Sequence, residues 1–223
     1  MRVEIWSDVV CPWCYIGKRR FEAALGRFEH RDAVEVEFRS FELNPNAQAN
    51  EGTNLDELLA RKYGFGLEQA RALNARVVNA AVGEGLHYRL DIAKHGNTLD
   101  AHRLIHLAAT DGRQAAMKER LMAAYFTEGK PISDRDTLVE LATEVGIEDE
   151  RARAVLDGDQ FVDEVRSDER EATELGINGV PFFVINRRYG VSGAQPPEVL
   201  LDALEIAWNE AHPAEAESGE VRA

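Results

Sequence analysis

The rhythm of apolar and polar residues changes twice along this chain. Near the start, Val3 to Trp6 alternates with period two and is ended by Ser7 and Asp8, the pattern of a short buried strand. From about Pro12 to Phe28 the apolar positions Cys14, Phe21, Leu25 and Phe28 recur at helical spacing. Pro12 suits a first helical turn, where its missing N–H is no loss. Val34 to Phe41, VEVEFRSF, alternates cleanly and is the clearest strand in the sequence, until Asn44–Pro45 and a polar run to Thr53 break it.

From Asn54 to about Gly176 the period becomes helical. The segment is rich in Ala, Leu, Glu and Arg and is punctuated at Gly64–Phe65–Gly66, His95–Gly96–Asn97, Asp111–Gly112, Gly129–Lys130–Pro131 and Gly146, which predicts six or seven helices and no strand. The β rhythm then returns at Phe182 to Ile185, with a turn at Asn186–Arg187–Arg188 and a second strand from Tyr189 to Ser192. Pro196 and Pro197 open a last helix through about Trp208, and 212–223 reads as a flexible polar tail. The order β-α-β, helices, β-β-α predicts an α/β fold with a mixed sheet. Residues 1–53 and 177–211 would build one discontinuous domain, with 54–176 as a large all-helical insertion.

Charge and length narrow the classes. A chain of 223 residues can bury a sizeable core without covalent staples. Its 26 basic and 40 acidic residues give a net charge of −14, which argues against nucleic acid as a partner. No stretch approaches the roughly 18–20 apolar residues of a membrane span. The opening MRVEIWSDVV has acidic residues where a secretory leader has a basic start and an apolar run, so a cytoplasmic protein is expected. Structural disulfides are unusual there, and the chain has two cysteines in all, Cys11 and Cys14. Such a close pair points to catalysis or metal binding.

Cys11 falls at the start of the first predicted helix, where unpaired N–H groups and the helix dipole favour a thiolate, the form that attacks disulfides. Cys14, about one turn further in, is placed to resolve a mixed disulfide. Two other readings compete: a zinc half-site and a chance pair of core cysteines. Zinc needs about four ligands. His102 and His106, four apart on a predicted helix, have the spacing to complete such a set, but Pro12 and Trp13 between the cysteines suit a redox pair better. On that helix Asn97 or Thr98 can cap the start. Ala101, Leu104, Ile105 and Ala108 form the buried stripe, with His102 at its edge, where a structural hydrogen bond is the ordinary role.

The stretch SDVVCPWCYIG, with NTLDAHRL in mid-chain and GINGVPFFVIN and YGVSGAQP near the end, resembles the thioredoxin-fold family of DsbA, and within it the FrnE-like branch, over nearly the whole chain. The resemblance implies a thioredoxin-like fold and a thiol–disulfide oxidoreductase with Cys11 as nucleophile and Cys14 as resolving thiol. It implies a cis bond at Val180–Pro181 facing the cysteines, with the backbone at Val180 pairing with substrate. Read from its residues alone, that dipeptide is an X-Pro before a strand, equally compatible with a trans bond. By the same resemblance the helix opened by Asn97 closes over the cleft, bringing His102 toward Cys11. Pro12 and Trp13 would offer a substrate-binding face, and Phe41, Asn44 and Pro45 a wall.

Relatives sharing this architecture, the 2-hydroxychromene-2-carboxylate isomerases and kappa-class glutathione transferases, carry serine where Cys11 stands. They imply an alternative activity, a glutathione-linked isomerase or transferase acting on a small aromatic or polyketide-like molecule. This chain departs from their glutathione-holding stretch in reading Gly193–Ala194–Gln195. The resemblance implies no metal and no tightly bound cofactor, glutathione as reductant or ligand, a protein or small-molecule thiol or disulfide as substrate, and a homodimer as in the glutathione-binding relatives. A zinc-binding or scaffold protein is the third class. FrnE-like proteins with a further C-terminal cysteine pair can shuttle between two dithiols, which two cysteines do not allow.

Overall fold

A computed structural model describes residues 1–48 and 55–213. Strand β1 (Arg2–Ser7) leads into helix α1 (Pro12–Arg27), and β2 (Glu35–Ser40) follows. The helical block then supplies α2 (Leu55–Tyr63), α3 (Leu67–Gly83), α4 (Leu99–Thr110), α5 (Gln114–Ala123), α6 (Arg135–Glu144), α7 (Asp149–Asp157) and α8 (Val162–Glu174), with a π-helical turn at Ala124–Glu128. Strands β3 (Phe182–Ile185) and β4 (Tyr189–Ser192) and helix α9 (Pro197–Ala211) complete the chain. The block thus holds seven α-helices and no strand among the described residues, as its periodicity predicts. The polar run after β2 and the start of the block at 54 fall partly in 49–54, outside the described residues, as does the tail beyond 213.

The sheet order is β2-β1-β3-β4, with β1 parallel to β2 and antiparallel to β3, and β3 antiparallel to β4. A parallel pair needs a crossover, and α1 provides it. Ile5 of β1 lies opposite both Phe38 and Phe183, so one apolar row crosses the sheet toward α1 and α9, where it meets Phe21, Phe28, Leu200 and Leu204. The other face carries Trp6 and Val184, packed against Ala172 of α8 and Ile177. Trp6 donates its Nε1–H to the Asp168 carbonyl at 2.9 Å. Glu4 is buried in the central strand and is neutralised by Arg39 Nη2 at 2.6 Å and Arg187 Nε at 2.5 Å, since a buried carboxylate needs both charge and donors.

The helical block has its own core around Leu104, Leu121, Tyr125, Leu138 and Leu141, and that core is continuous with Val9, Val10, Cys11, Cys14, Tyr15 and Ile16. The first turns of α1 therefore lie at the junction of sheet and block.

Candidate active site

Cys11 is the N-cap of α1, in extended conformation (φ −85°, ψ 113°), and Pro12 opens the helix as predicted. The turn that presents it is tied by Cys11 N–H to the Asp8 carbonyl (3.3 Å) and Cys14 N–H to the Cys11 carbonyl (3.0 Å). Both thiols are free; Cys11 is 5 % and Cys14 2 % exposed. The Cys11 thiol donates to the carbonyl of Val180, 3.5 Å away. Burial, reinforced by the hydrogen bond it shares with Cys11, pushes the Cys14 thiol well above its ordinary range. One sulfur thus caps the helix against the Val180 carbonyl and its neighbour, one turn further in, is kept protonated, an arrangement able to exchange disulfides in two steps.

The Val180–Pro181 bond is cis, as the resemblance implies. Pro181 comes so close to α1 that a Cβ on Gly17 would sit 2.8 Å from its Cγ; only glycine lets the loop approach. Trp13 is 41 % exposed, while Pro12 is half-buried with its carbonyl accepting from the Tyr88 hydroxyl at 2.7 Å.

Behind the thiols lies a fully buried charged cluster. Asp8 accepts from His102 Nε2 at 3.3 Å through one oxygen and from the Leu43 amide at 2.8 Å through the other. Burial alone would raise the Asp8 carboxyl, but these donors and the charge of Lys118 outweigh it and hold it below its ordinary value. Lys118, on α5, donates Nζ to the Ser7 carbonyl at 3.0 Å, and burial pushes its ammonium down to about 8 despite the opposing pull of Cys14 and Asp8. His102 is 1 % exposed, which corrects its placement at the edge of the stripe: the side chain turns inward because a buried carboxylate from another segment receives it. Burial also lowers its pKa, so it faces Asp8 as a neutral imidazole at neutral pH.

Residues 2–205 match the model of the DSBA-like thioredoxin domain. The chain belongs to this family. A solved structure from Streptomyces coelicolor, described as a probable DsbA oxidoreductase, is 50 % identical over 94 % of this chain and 91 % of its own, with a TM-score of 0.90. The cytosolic disulfide reductase DsbM of Pseudomonas aeruginosa, solved with GSH, shares the fold at 20 % identity and a TM-score of 0.67, covering 94 % of this chain and all (100 %) of DsbM. A 2-hydroxychromene-2-carboxylate isomerase shares it at 15 % identity and a TM-score of 0.69, covering 97 % and 98 %.

Within this DsbA-like frame the structure brings the Cys11–Pro12–Trp13–Cys14 turn against the Val180–Pro181 loop, through the Cys11–Val180 contact and the approach of Pro181 to Gly17, with His102 one layer behind through Asp8. Asn44 is set apart: its side chain is exposed and accepts from the Asn46 amide within its own turn. Asn97 joins that turn to α4, donating Nδ2–H to the Pro45 carbonyl (3.2 Å) and accepting the Leu99 amide (2.9 Å), so it takes the capping role from Thr98, whose side chain caps nothing. His106, the other histidine of the zinc reading, is engaged by Asp168 and Ser40, and no cluster of three or more metal-ligating side chains occurs among the described residues. Ser40, His106 and Asp168 resemble a hydrolytic triad in composition only. Both partners meet the same Nε2 at 3.1 Å, whereas a relay needs one on each ring nitrogen.

Sequence reasoning missed four residues of the site: Asp8 and Gly17 stand inside SDVVCPWCYIG with no role read for them, and Tyr88 and Lys118 lie outside every motif. A lysine in the charged run Lys118–Glu119–Arg120 reads as surface, and only the tertiary fold buries it.

Proposed function

We propose that this chain is a cytoplasmic thiol–disulfide oxidoreductase working through Cys11 and Cys14. The observation that carries the reading is the asymmetry of the pair: Cys11 at the helix N-terminus against the Val180 carbonyl, Cys14 buried and proton-holding behind it. The Cys11 thiolate attacks one sulfur of a substrate disulfide. That S–S bond breaks, the far sulfur leaves as thiolate, and a mixed disulfide forms at Cys11. Cys14 then gives its proton to the thiolate already released and attacks the Cys11 sulfur, breaking the mixed disulfide, releasing the second substrate thiolate and leaving a Cys11–Cys14 disulfide. Two electrons have passed from protein to substrate, and the reverse sequence oxidises a dithiol. Lys118 is the buried cation whose field favours the Cys14 thiolate as it forms.

An extended substrate segment aligns on the backbone at Val180, with the exposed Trp13 ring beside it. Glutathione is the small thiol this reading takes to reset the pair. The similar fold of DsbM, a cytosolic reductase solved with GSH, supports both that partner and the compartment. The second thiol is what separates this reading from the glutathione-linked isomerase that the fold also supports.

Trapping tests it. With Cys14→Ser, incubation with oxidised glutathione or a disulfide-containing peptide should leave a stable mixed disulfide at Cys11, seen as added mass lost on reduction. Cys11→Ser should form none, and the wild type should turn over. Saturable glutathione binding without any disulfide in all three proteins would refute the oxidoreductase and favour the isomerase.

A further inference from the structure

Tyr88 reaches the cysteine motif from the helical block. It lies between α3 and α4, is buried, and donates its hydroxyl to the Pro12 carbonyl at 2.7 Å. Its ring belongs to a three-ring cluster, with centroids 4.6 Å from Phe126 and 6.1 Å from Tyr15, which are themselves 6.1 Å apart. Phe126 in turn belongs to the π-helical turn, and its carbonyl takes the Arg89 amide at 2.6 Å, one residue on from Tyr88. The hydroxyl position is therefore set by packing. Burial, with the neighbouring cysteines next, pushes the Tyr88 phenol above its ordinary value, so it stays a donor at any pH where the protein works.

The acceptor matters because of where its peptide sits. Pro12 is the first residue of α1 and Cys11 the N-cap, so the Pro12–Trp13 peptide carries the second amide of the helix. The amides at that position and the next are those an N-cap side chain uses; the Cys14 amide is already given to the Cys11 carbonyl at 3.0 Å, so the Trp13 amide is the one the sulfur would take. In the dithiol the Cys11 thiol makes no such bond and points instead to Val180. A hydrogen bond accepted by a carbonyl polarises its peptide and strengthens the N–H at the other end.

We propose that Tyr88 is a positioning residue for the dithiol. Its hydroxyl fixes and polarises the Pro12–Trp13 peptide so that the Trp13 amide receives the Cys11 sulfur when it is ionised, which favours the reduced protein over the disulfide. The inference rests on the oxidoreductase reading, since a site that never forms a disulfide has no such equilibrium to set.

Tyr88→Phe keeps the ring stack and deletes one hydrogen bond. Wild type and variant are equilibrated in mixtures of reduced and oxidised glutathione, and the dithiol fraction is read by alkylation and mass. Two protein thiols lose two electrons and two protons to one glutathione disulfide, which becomes two glutathione molecules. The variant should favour its disulfide by about two- to tenfold, a potential roughly 9–30 mV more negative. Tyr15→Phe removes the phenol next to it in the stack, one bonded to Glu119 rather than to the motif, and should match wild type. A Tyr88→Phe value within twofold of wild type, or an equal change in Tyr15→Phe, would overturn the inference alone. A wild type that forms no disulfide against glutathione would remove the oxidoreductase reading and the inference with it.

Discussion

Replacing Lys118 by methionine tests what the buried cation costs and what it does. Methionine fills nearly the same volume without the charge. In the native protein the ammonium is held at about 8 against an ordinary 10.5, a gap worth about 3 kcal/mol at roughly 1.4 kcal/mol per tenfold change in proton affinity. The variant escapes that penalty but leaves the Ser7 carbonyl without its donor, a loss of about 1 kcal/mol, and takes a favourable charge from Asp8. The reduced variant should therefore be more stable than wild type by about 1–2 kcal/mol at pH 7. The pH dependence has a defined sign. Between about 8 and 10.5 the unfolded wild type still holds the lysine proton while the folded protein has lost it, so wild-type stability rises with pH through that window. The variant's advantage should be complete below about 8 and gone above about 10.5. Urea unfolding of both proteins under reducing conditions, at pH 7 and again near pH 10, reads this directly. Function should move the other way, with resolution by Cys14 slowed because its thiolate has lost the cation that favours it. A variant less stable than wild type at pH 7, or an advantage that does not shrink with pH, would refute the assignment of Lys118 as a destabilised buried ammonium.

Gly17→Ala puts a Cβ 2.8 Å from Pro181 Cγ and should destabilise by about 1–2 kcal/mol and lower turnover, by pushing the Val180 carbonyl away from Cys11. Gly26→Ala in the same helix meets nothing within 4 Å and should stabilise by about 0.5–1 kcal/mol; denaturant midpoints of the pair separate loop contact from helix propensity. The division at 54–176 is a proposal with its own check: the excised block should not fold cooperatively, because its core needs Val9, Val10, Tyr15 and Ile16 from the N-terminal segment, and a sharp unfolding transition of the isolated block would contradict this.

Much of the fold is legible in the sequence because its elements obey simple periods. β1 alternates because Val3 and Ile5 face α1 and α9 while Glu4 and Trp6 face the other way, and α4 shows its stripe because Ala101, Leu104, Ile105 and Ala108 are all buried. The cysteine pair was legible for a different reason, as two rare side chains at the junction of a strand and a helix. What periodicity misreads is a polar residue buried by a partner from elsewhere. His102 sits where a helical wheel predicts an edge, yet Asp8 draws it inward from a segment more than ninety residues away. Asn97 outcompetes Thr98 as a cap because the loop after β2 folds back onto it. Gly17 reads as a weak point in a helix until Pro181 arrives against it.

What sequence reading misses from the helical block is where its polar side chains end up. Tyr88, His102 and Lys118 all come from the helical block, and all converge on the end of α1 that carries the cysteines. The motif and the loop at Pro181 come from the sheet side, where short-range spacing makes them visible. The chemistry available to the pair is therefore written in the motif, while the field around it comes from α4, α5 and the loop after α3. Two proteins with the same four-residue motif and different helical blocks should differ in how readily the dithiol oxidises, because the carbonyl, the carboxylate and the ammonium that face the thiols would be held differently. Exchanging Tyr88 and Lys118 leaves the motif untouched and alters that surrounding field. The two substitutions act by different routes, Tyr88 through a hydrogen bond to the Pro12 carbonyl and Lys118 through the charge it sets against Cys14 and, more weakly, Cys11. Their effects on the dithiol–disulfide equilibrium should then add, and a double variant departing from additivity by more than about 0.5 kcal/mol would place both on a single coupled network instead.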